Sequence, residues 1–152
     1  MKKLRIYLDN CCFNRPYDIQ NSITIKIETI SKLSIQDEVR SGTVELAWSY
    51  ILDYENDANL NSLKKRFIGE WDKFAITDID ESESIIEKAE TLEMKGFKQN
   101  DALHIACAIA AGCDYFITVD NGILKKKDSV TEIALINPID FIRIKEVNNN
   151  EK

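Results

Sequence analysis

Three aspartates stand where an apolar segment ends or begins, and together they could do chemistry. Asp9 directly follows the apolar residues 4–8, and Asp120 directly follows the β-branched and aromatic residues 115–119. Asp101 opens the apolar stretch that leads into the second of these segments. If the two segments are neighbouring parallel strands, their carboxyl ends lie on one edge of a sheet, where such folds bind ligands. The pattern therefore predicts an acidic pocket at that edge.

A cluster of carboxylates indicates a bound divalent cation. Like charges held in a pocket of low dielectric repel one another and raise one another's pKa values unless a cation neutralises them. Oxygen ligands suit Mg2+ or Mn2+ better than Zn2+. Such ions bind a phosphate, lower the pKa of an attacking water and stabilise the leaving oxygen, so the expected chemistry is phosphoryl transfer.

Each of the three aspartates also has a purely structural interpretation. Asp101 could serve only as a charge at a helix N-terminus, where a carboxylate stabilises by about 0.3 to 1 kcal/mol. Asp9 and Asp120 could be ordinary turn residues after a strand. The occurrence of all three in one predicted neighbourhood is what favours a metal site.

A fourth carboxylate can be assigned to the same edge. Glu55 lies six residues beyond Ser49, whose hydroxyl is suited to capping the helix that would carry it. Asp53 and Glu45 lie close by in the sequence and are alternatives to Glu55.

Other catalytic apparatus is scarce. The chain has a single histidine, so no Ser-His-Asp set can be assembled with confidence, and it contains no GxxxxGK phosphate loop. His104 follows Asp101 by one helical turn. We interpret it first as a packed, hydrogen-bonded core residue, with the orientation of Asp101 or of a substrate phosphate as the alternative.

Two further features lie close to Asp9 in the sequence. Arg15 could hold a phosphate through two hydrogen bonds or could pair with Asp18. Cys11 and Cys12 lack the spaced partner pair of a zinc site, so we interpret them as small buried hydrophobic residues.

Composition limits the class of protein. The 152 residues, 44% of them hydrophobic, suit one domain, which we place at residues 1–147 with a frayed polar tail at 148–152. We expect a cytoplasmic protein with reduced cysteines and neither a membrane span nor a secretory leader. A net charge of −6 does not favour a nucleic-acid partner, although lysine and arginine cluster at residues 2–5, 64–66 and 125–127. Such runs are usually solvated surface.

Strand and helix patterns alternate along the chain. Strands are predicted at residues 4–8, 44–48, 115–119 and 131–136 from their apolar, β-branched and aromatic content. Helices are predicted at residues 23–39, 49–55, 60–74, 80–96 and 101–111 from apolar positions three and four apart. Alternation of this kind favours an α/β fold, a three-layer sandwich around a mainly parallel sheet.

Nearly the whole chain resembles the PIN-domain family, which includes VapC-type toxins. The most specific part is NDALHIACAIAAGCDYFITVDNGI, residues 100–123, with YLDN at the first acid. The resemblance implies metal ligation by Asp9, Glu55, Asp101 and Asp120, with Thr118 and Asn10 as supporting polar groups. The family's first motif commonly carries a hydroxyl residue after its aspartate, where this chain has Asn10.

The resemblance implies a metal-dependent endoribonuclease that hydrolyses single-stranded RNA. Members that are toxins are held inactive by a small antitoxin protein, and many members form homodimers, for which residues 23–39 and 60–74 could supply the surface. The alternative function is a catalytically weak PIN scaffold that binds a partner or RNA. Another α/β phosphohydrolase is disfavoured, because Cys11 stands where haloacid dehalogenase-like enzymes have a second aspartate.

Overall fold

Five parallel strands form the centre of the molecule in a computed structural model that describes the backbone of residues 2–150 and the side chains of residues 2–147. The strands are β1 (Leu4–Leu8), β2 (Val44–Ser49), β3 (Ala75–Ile79), β4 (Tyr115–Ile117) and β5 (Ala134–Ile136). The inner strands β1, β2 and β4 are buried along most of their length, as expected of a parallel sheet covered on both faces.

The order of the strands in the sheet is β3-β2-β1-β4-β5. The chain therefore builds outward from β1 to β3 on one side and then returns to place β4 on the other side of β1. In register, Tyr7 pairs with Ala47 of β2 and with Phe116 of β4. The reversal makes the carboxyl ends of β1 and β4 a topological switch point, where open α/β sheets bind their ligands.

The helices connect the strands and cover both faces of the sheet. They are α1 (Asn10–Asn14), α2 (Ile23–Ser41), α3 (Tyr50–Asp57), α4 (Ser62–Gly69), α5 (Glu83–Met94), α6 (Gln99–Ala110), α7 (Asn121–Leu124) and α8 (Pro138–Asn150). Short 3-10 helices occur at Arg15–Tyr17, Glu70–Phe74 and Lys127–Ser129.

The handedness of the crossover connections determines on which face of the sheet each helix lies. The crossover from β1 to β2 carries α2, and the crossover from β3 to β4 carries α5 and α6 in the opposite direction across the sheet. Because both crossovers are expected to be right-handed, their helices lie on opposite faces. In agreement, α2 packs with α8, and α5 packs with α6. The predicted parallel α/β fold is confirmed.

A cavity of about 290 Å³ lies between α2 and the 3-10 helix Glu70–Phe74. Aromatic side chains line much of it, including Phe13, Phe67 and Trp71. Two polar residues of α2 line it as well, Lys32 at 4% exposure and Gln36 at 3%.

Several elements of the structure differ from the predicted ones. The strand β3 and the short helices α1 and α7 were not predicted, and the helix expected at residues 60–74 is α4 followed by a 3-10 helix. The helix α8 was likewise not predicted. The tail expected at residues 148–152 falls partly in the last turn of α8, while residues 151 and 152 lie outside the described residues.

None of the helices among the described residues has the length and apolar character that crossing a bilayer would require.

Candidate metal centre at the carboxyl edge of the sheet

Asp9 lies at the end of β1 and is 6% exposed. Its Oδ1 accepts a hydrogen bond from the backbone N–H of Asn10 at 2.8 Å, so the carboxylate caps α1. Its Oδ2 accepts a hydrogen bond from the Thr118 hydroxyl, also at 2.8 Å. The carboxylate is thus held in one orientation at the switch point by the first residue of α1 and by the residue that follows β4.

Thr118 joins two of the predicted acids. The same hydroxyl oxygen that donates to Asp9 accepts a hydrogen bond from the backbone N–H of Asp120 at 3.1 Å. The Asp120 Oδ1 then caps α7 by accepting from the Gly122 N–H at 2.7 Å. A Cβ at position 122 would stand 3.0 Å from that oxygen, so glycine permits the close approach.

Asp101 lies in the first turn of α6 and is half-buried. Within the described residues, no donor forms a hydrogen bond or an ion pair with its carboxylate. Burial and the nearby carboxylates of Asp9 and Asp120 together raise its pKa to about 6, against the opposing effects of His104 and Lys98. Asp101 is therefore near enough to Asp9 and Asp120 for the three carboxylates to interact.

Glu55 enters the pocket from α3 and contacts His104. Its Oε1 forms a short hydrogen bond with the His104 Nε2, and that nitrogen is 3.9 Å from the Asp9 Oδ1. Each of these three residues offers one ligand atom, and the three atoms lie within 4.8 Å of one another. This is the group that the described residues provide for a metal ion.

The ring of His104 is 1% exposed and bonded at both nitrogens. Its Nδ1 lies 2.6 Å from the Tyr7 hydroxyl oxygen, which lies 2.6 Å from the Ser49 Oγ. Ser49 also caps α3 by accepting from the Leu52 N–H. The expectation of a packed, hydrogen-bonded histidine is confirmed, but its partner in the pocket is Glu55 rather than Asp101.

The donor set fits a hard divalent cation. Carboxylate oxygens dominate the pocket, as Mg2+ and Mn2+ require, and Asp101 lacks a cationic partner of its own among the described residues. Among those residues, no cysteine sulfur belongs to the candidate ligand group. Cys11 lies beside the pocket, where its thiol donates a weak hydrogen bond to the Asp9 Oδ2 at 3.4 Å. All four cysteines are free.

The alternatives for the second acid lie elsewhere. The Asp53 Oδ1 accepts from the Trp48 Nε1 at 2.9 Å, and Glu45 pairs with Arg5 at 3.2 Å near the amino end of β2. Glu55 is the one of the three that contacts His104. Its role as a ligand stays a prediction.

Two predicted supporting residues have other partners. Arg15 forms ion pairs with Asp18 at 3.0 Å and with Glu28 at 3.4 Å, so its predicted pair with Asp18 is present and a phosphate contact stays a prediction. Asn10 supports Asp9 through its backbone N–H. Its side-chain Oδ1 is buried and accepts no hydrogen bond from the described residues.

Lys98 lies near the pocket, and one of the three basic runs lies close to Lys98 in the fold. Lys98 is close enough to Asp101 to lower its pKa, and Lys126 lies over the Phe97 ring at 5.6 Å. The run at residues 125–127 directly follows α7, which Asp120 caps. Lys2 and Lys3 precede β1 and lie at the opposite edge of the sheet.

Sequence reasoning missed the contact between His104 and Glu55 and the hydrogen bonds that join Tyr7 to Ser49 and His104. The spacing of His104 from Asp101 was the one local signal, because residues three apart share a helix face. The Tyr7 and His104 partners are 97 positions apart and leave no local pattern.

The chain is similar to known proteins in both sequence and fold. A model of the PIN domain family matches residues 6–129. No match is found among curated protein sequences.

Two solved structures are similar in fold. One is VapBC2 from Rickettsia felis bound to a DNA fragment from their promoter, with a TM-score of 0.54 and 16% identity over 88% of this chain and 98% of that one. The other is VapBC-1 from nontypeable Haemophilus influenzae, with a TM-score of 0.55 and 17% identity over 89% and 98%. At such identities the likeness concerns the fold alone.

Proposed function

This chain belongs to the PIN-domain family, and on that premise we propose that it is a metal-dependent nuclease that hydrolyses phosphodiester bonds in single-stranded RNA. The observation that carries the proposal is the arrangement at the switch point, where the Thr118 hydroxyl joins Asp9 to Asp120 and both of these carboxylates raise the pKa of Asp101. Carboxylates without cationic partners are costly there, and a divalent cation bound among them removes the cost.

We assign Asp9, Glu55, Asp101 and Asp120 to holding Mg2+ or Mn2+. When bound, the ion supplies a polarised phosphate, an acidified water and charge stabilisation for the leaving oxygen. Thr118 keeps the Asp9 carboxylate facing the pocket and keeps Asp120 beside it. Glu55 reaches the same volume from α3.

The substrate must bring negative charge to an acidic protein. Lys98 lies near Asp101, and the run at residues 125–127 follows α7, which Asp120 caps, so both suit contacts with the phosphates that flank the scissile bond. The choice of RNA rests on the family resemblance. We expect the affinity for RNA to fall as salt rises, because binding releases counterions from the phosphates.

Cleavage of single-stranded RNA with Mg2+ or Mn2+ tests the proposal. We expect a chelator to abolish cleavage and Asp101→Asn to reduce it by at least about 100-fold, as for the loss of a charge-stabilising group in other enzymes. Asp140→Asn, an exposed acid of α8, is the matched control and should cleave normally. Cleavage that persists with chelator, or in Asp101→Asn, would overturn the assignment. Metal binding without cleavage of any RNA would favour the binding-module alternative.

We also propose a small antitoxin protein as a partner in the cytoplasm. Both similar structures come from VapBC pairs. The α2 face carries the apolar side chains of Ile23 and Ile30 at 76% and 67% exposure, a surface suited to a protein partner. Free cysteines agree with a reducing compartment.

Co-expression with the product of the adjacent reading frame tests the partner. A stable complex with reduced RNA cleavage is expected, and Ile30→Asp should weaken it. A homodimer that buries the same face when the chain is alone is the other outcome to look for. If the protein stays monomeric and does not bind the product of the adjacent reading frame, both the antitoxin partner and the homodimer would be contradicted.

A further inference from the structure

We propose that His104 is a positioning residue whose Nε2–H holds the Glu55 carboxylate, and that Tyr7 and Ser49 fix the tautomer that makes this possible. The inference deepens the proposed function, since Glu55 is one of the ligands assigned above. It concerns which atom donates and which accepts in the hydrogen bonds that link Ser49, Tyr7, His104 and Glu55.

The hydroxyl of Tyr7 is the deciding group. It has one hydrogen to donate and lies 2.6 Å from both the Ser49 Oγ and the His104 Nδ1. A phenol ordinarily has a pKa of about 10, so its hydroxyl is a donor at neutral pH. Its hydrogen must therefore point either to Ser49 or to His104.

The two arrangements have opposite consequences at Glu55. If Tyr7 donates to Ser49, a neutral ring must carry its hydrogen on Nδ1, and the bare Nε2 then faces a carboxylate oxygen at hydrogen-bond distance. Two acceptors in contact repel. If Tyr7 donates to Nδ1, Ser49 donates to Tyr7, the ring hydrogen sits on Nε2, and every contact in the chain has one donor and one acceptor. The second arrangement is therefore the stable one.

The positions of the four residues connect the site's elements. Tyr7 precedes Asp9 by two residues on β1, and His104 follows Asp101 by one turn on α6. Ser49 caps α3, the helix that carries Glu55. Glu55 has a long side chain that is 25% exposed, and without a fixed donor it could rotate toward solvent. His104 thus sets the Glu55 carboxylate against the other three acids.

The single histidine of the chain makes the tautomer measurable. Protein labelled with ¹⁵N-histidine gives one pair of ring nitrogen signals in long-range ¹H–¹⁵N spectra, recorded at a mildly alkaline pH where imidazoles are neutral. We expect a protonated Nε2 and an unprotonated Nδ1 in the metal-free protein. Tyr7→Phe should change the Nδ1 signal by removing its donor. A wild-type ring protonated on Nδ1 would overturn the proposal.

Addition of Mg2+ separates positioning from ligation. As a positioning residue, His104 keeps the hydrogen on Nε2 when Mg2+ is added, and the diamagnetic ion leaves the signals visible. Loss of that hydrogen on binding would identify His104 as a ligand and would overturn the positioning role. Neither measurement requires RNA, so a failure of the proposed nuclease activity leaves this result intact.

Paired variants test the consequence for the metal. Glutamine places an N–H donor near the position of the histidine Nε2, whereas leucine has none. We expect His104→Leu to weaken Mg2+ binding by about 10- to 100-fold, the range for partners that orient metal ligands. His104→Gln should bind within a few-fold of wild type. Equal weakening in both variants, with both folded by circular dichroism, would reduce His104 to a packing role and contradict the proposal. If His104→Leu does not fold, the spectra of Tyr7→Phe and the Mg2+ affinity of His104→Gln still test whether His104 positions Glu55.

Discussion

The acid pocket and the cavity beneath α2 both bury polar side chains, but they treat them differently. In the pocket, Asp9, Thr118 and His104 each have a hydrogen-bonding partner at a defined atom. In the cavity, the Lys32 Nζ lies 5.5 Å from the centroid of the Phe13 ring and has no carboxylate partner among the described residues, and the Gln36 Nε2 has no acceptor there. The pocket is arranged by hydrogen bonds, whereas the cavity is arranged by the packing of aromatic rings.

Comparing the hydrogen bonds of the pocket with those of the cavity indicates which buried polar residues are positioned for chemistry. Burial alone does not distinguish them, since Lys32 is 4% exposed and Asp9 is 6% exposed. Hydrogen bonds that fix the orientation of a side chain do distinguish them, because a functional site must hold its groups close to one geometry. Four changes, two in each region, would break or sharpen this contrast.

Magnesium should stabilise the pocket by the largest amount. At a free concentration of 100 times its Kd, a ligand that binds only the folded state adds about 2.7 kcal/mol to the free energy of unfolding. Urea unfolding of the wild type with and without Mg2+ measures this gain, which Asp101→Asn should lose. In the absence of metal, Asp101→Asn should itself stabilise, because the pKa of Asp101 is raised by burial and by its acidic neighbours. An equal gain from Mg2+ in this variant would remove Asp101 from the site.

Lys32→Met should stabilise the protein at neutral pH by about 2 kcal/mol, because a buried charge without a partner costs more than a hydrocarbon of similar volume. Burial lowers the pKa of Lys32 from 10.5 to about 7 in the folded state, with Cys12 and Arg40 as its nearby titratable groups. Between these values the unfolded chain holds more protons at Lys32 than the folded chain, so stability rises with pH across that window.

The free energy of unfolding, measured by urea at several pH values from 7 to 10.5, tests this assignment. The wild type should gain stability over the window more steeply than Lys32→Met, and Lys26→Met on the exposed side of α2 is the matched control. Identical slopes in wild type and Lys32→Met would show that Lys32 has a partner or reaches solvent.

Thr118→Val should destabilise by about 1.5 kcal/mol, since it removes a hydrogen bond to a carboxylate while keeping the side-chain shape. It leaves the Asp9 Oδ2 with only the weak Cys11 thiol bond. Thr118→Ser keeps the hydroxyl and should recover most of the loss in urea unfolding. Equal losses in both variants would assign the effect to the missing methyl group and not to the hydrogen bond.

Arg40→Ala should have the smallest effect, about 0.5 kcal/mol. The guanidinium carbon lies 4.6 Å from the centroid of the Trp71 ring at the edge of the cavity, and exposed cation–π contacts contribute this much. Asp37→Ala removes only the exposed ion pair to Arg40 and should be near neutral. A larger loss from Asp37→Ala than from Arg40→Ala would contradict the assignment.

The three strands buried on both faces and the edge strand β5 could be predicted from the sequence, whereas the edge strand β3 could not. The strands β1, β2 and β4 are runs of apolar residues whose burial leaves a continuous signal. The strand β3 alternates half-buried and exposed residues over five positions, and Ile76 is 47% exposed. Its apolar residues are therefore too few to separate the strand from the apolar pattern of the preceding helix. Its pairing with β2 is what makes it a strand.

The candidate site divides in the same way. The three aspartates could be predicted from strand ends and a helix start, which are local features. Glu55 was selected by family resemblance, since Asp53 and Glu45 fit the local pattern as well. The chain from Ser49 to His104 depends on side chains brought together by the sheet, and no window of sequence contains it.

The order of the strands also determines when the pocket can exist. Asp9 and Thr118 are 109 positions apart in the sequence, and β4 can pair with β1 only after β2 and β3 have been synthesised. A chain still on the ribosome therefore lacks Thr118 and Asp120, and with them half of the pocket, until β4 has been synthesised. Contacts of such long range also close slowly. On the function proposed above, the nascent chain would have no complete site with which to cut the messenger that encodes it.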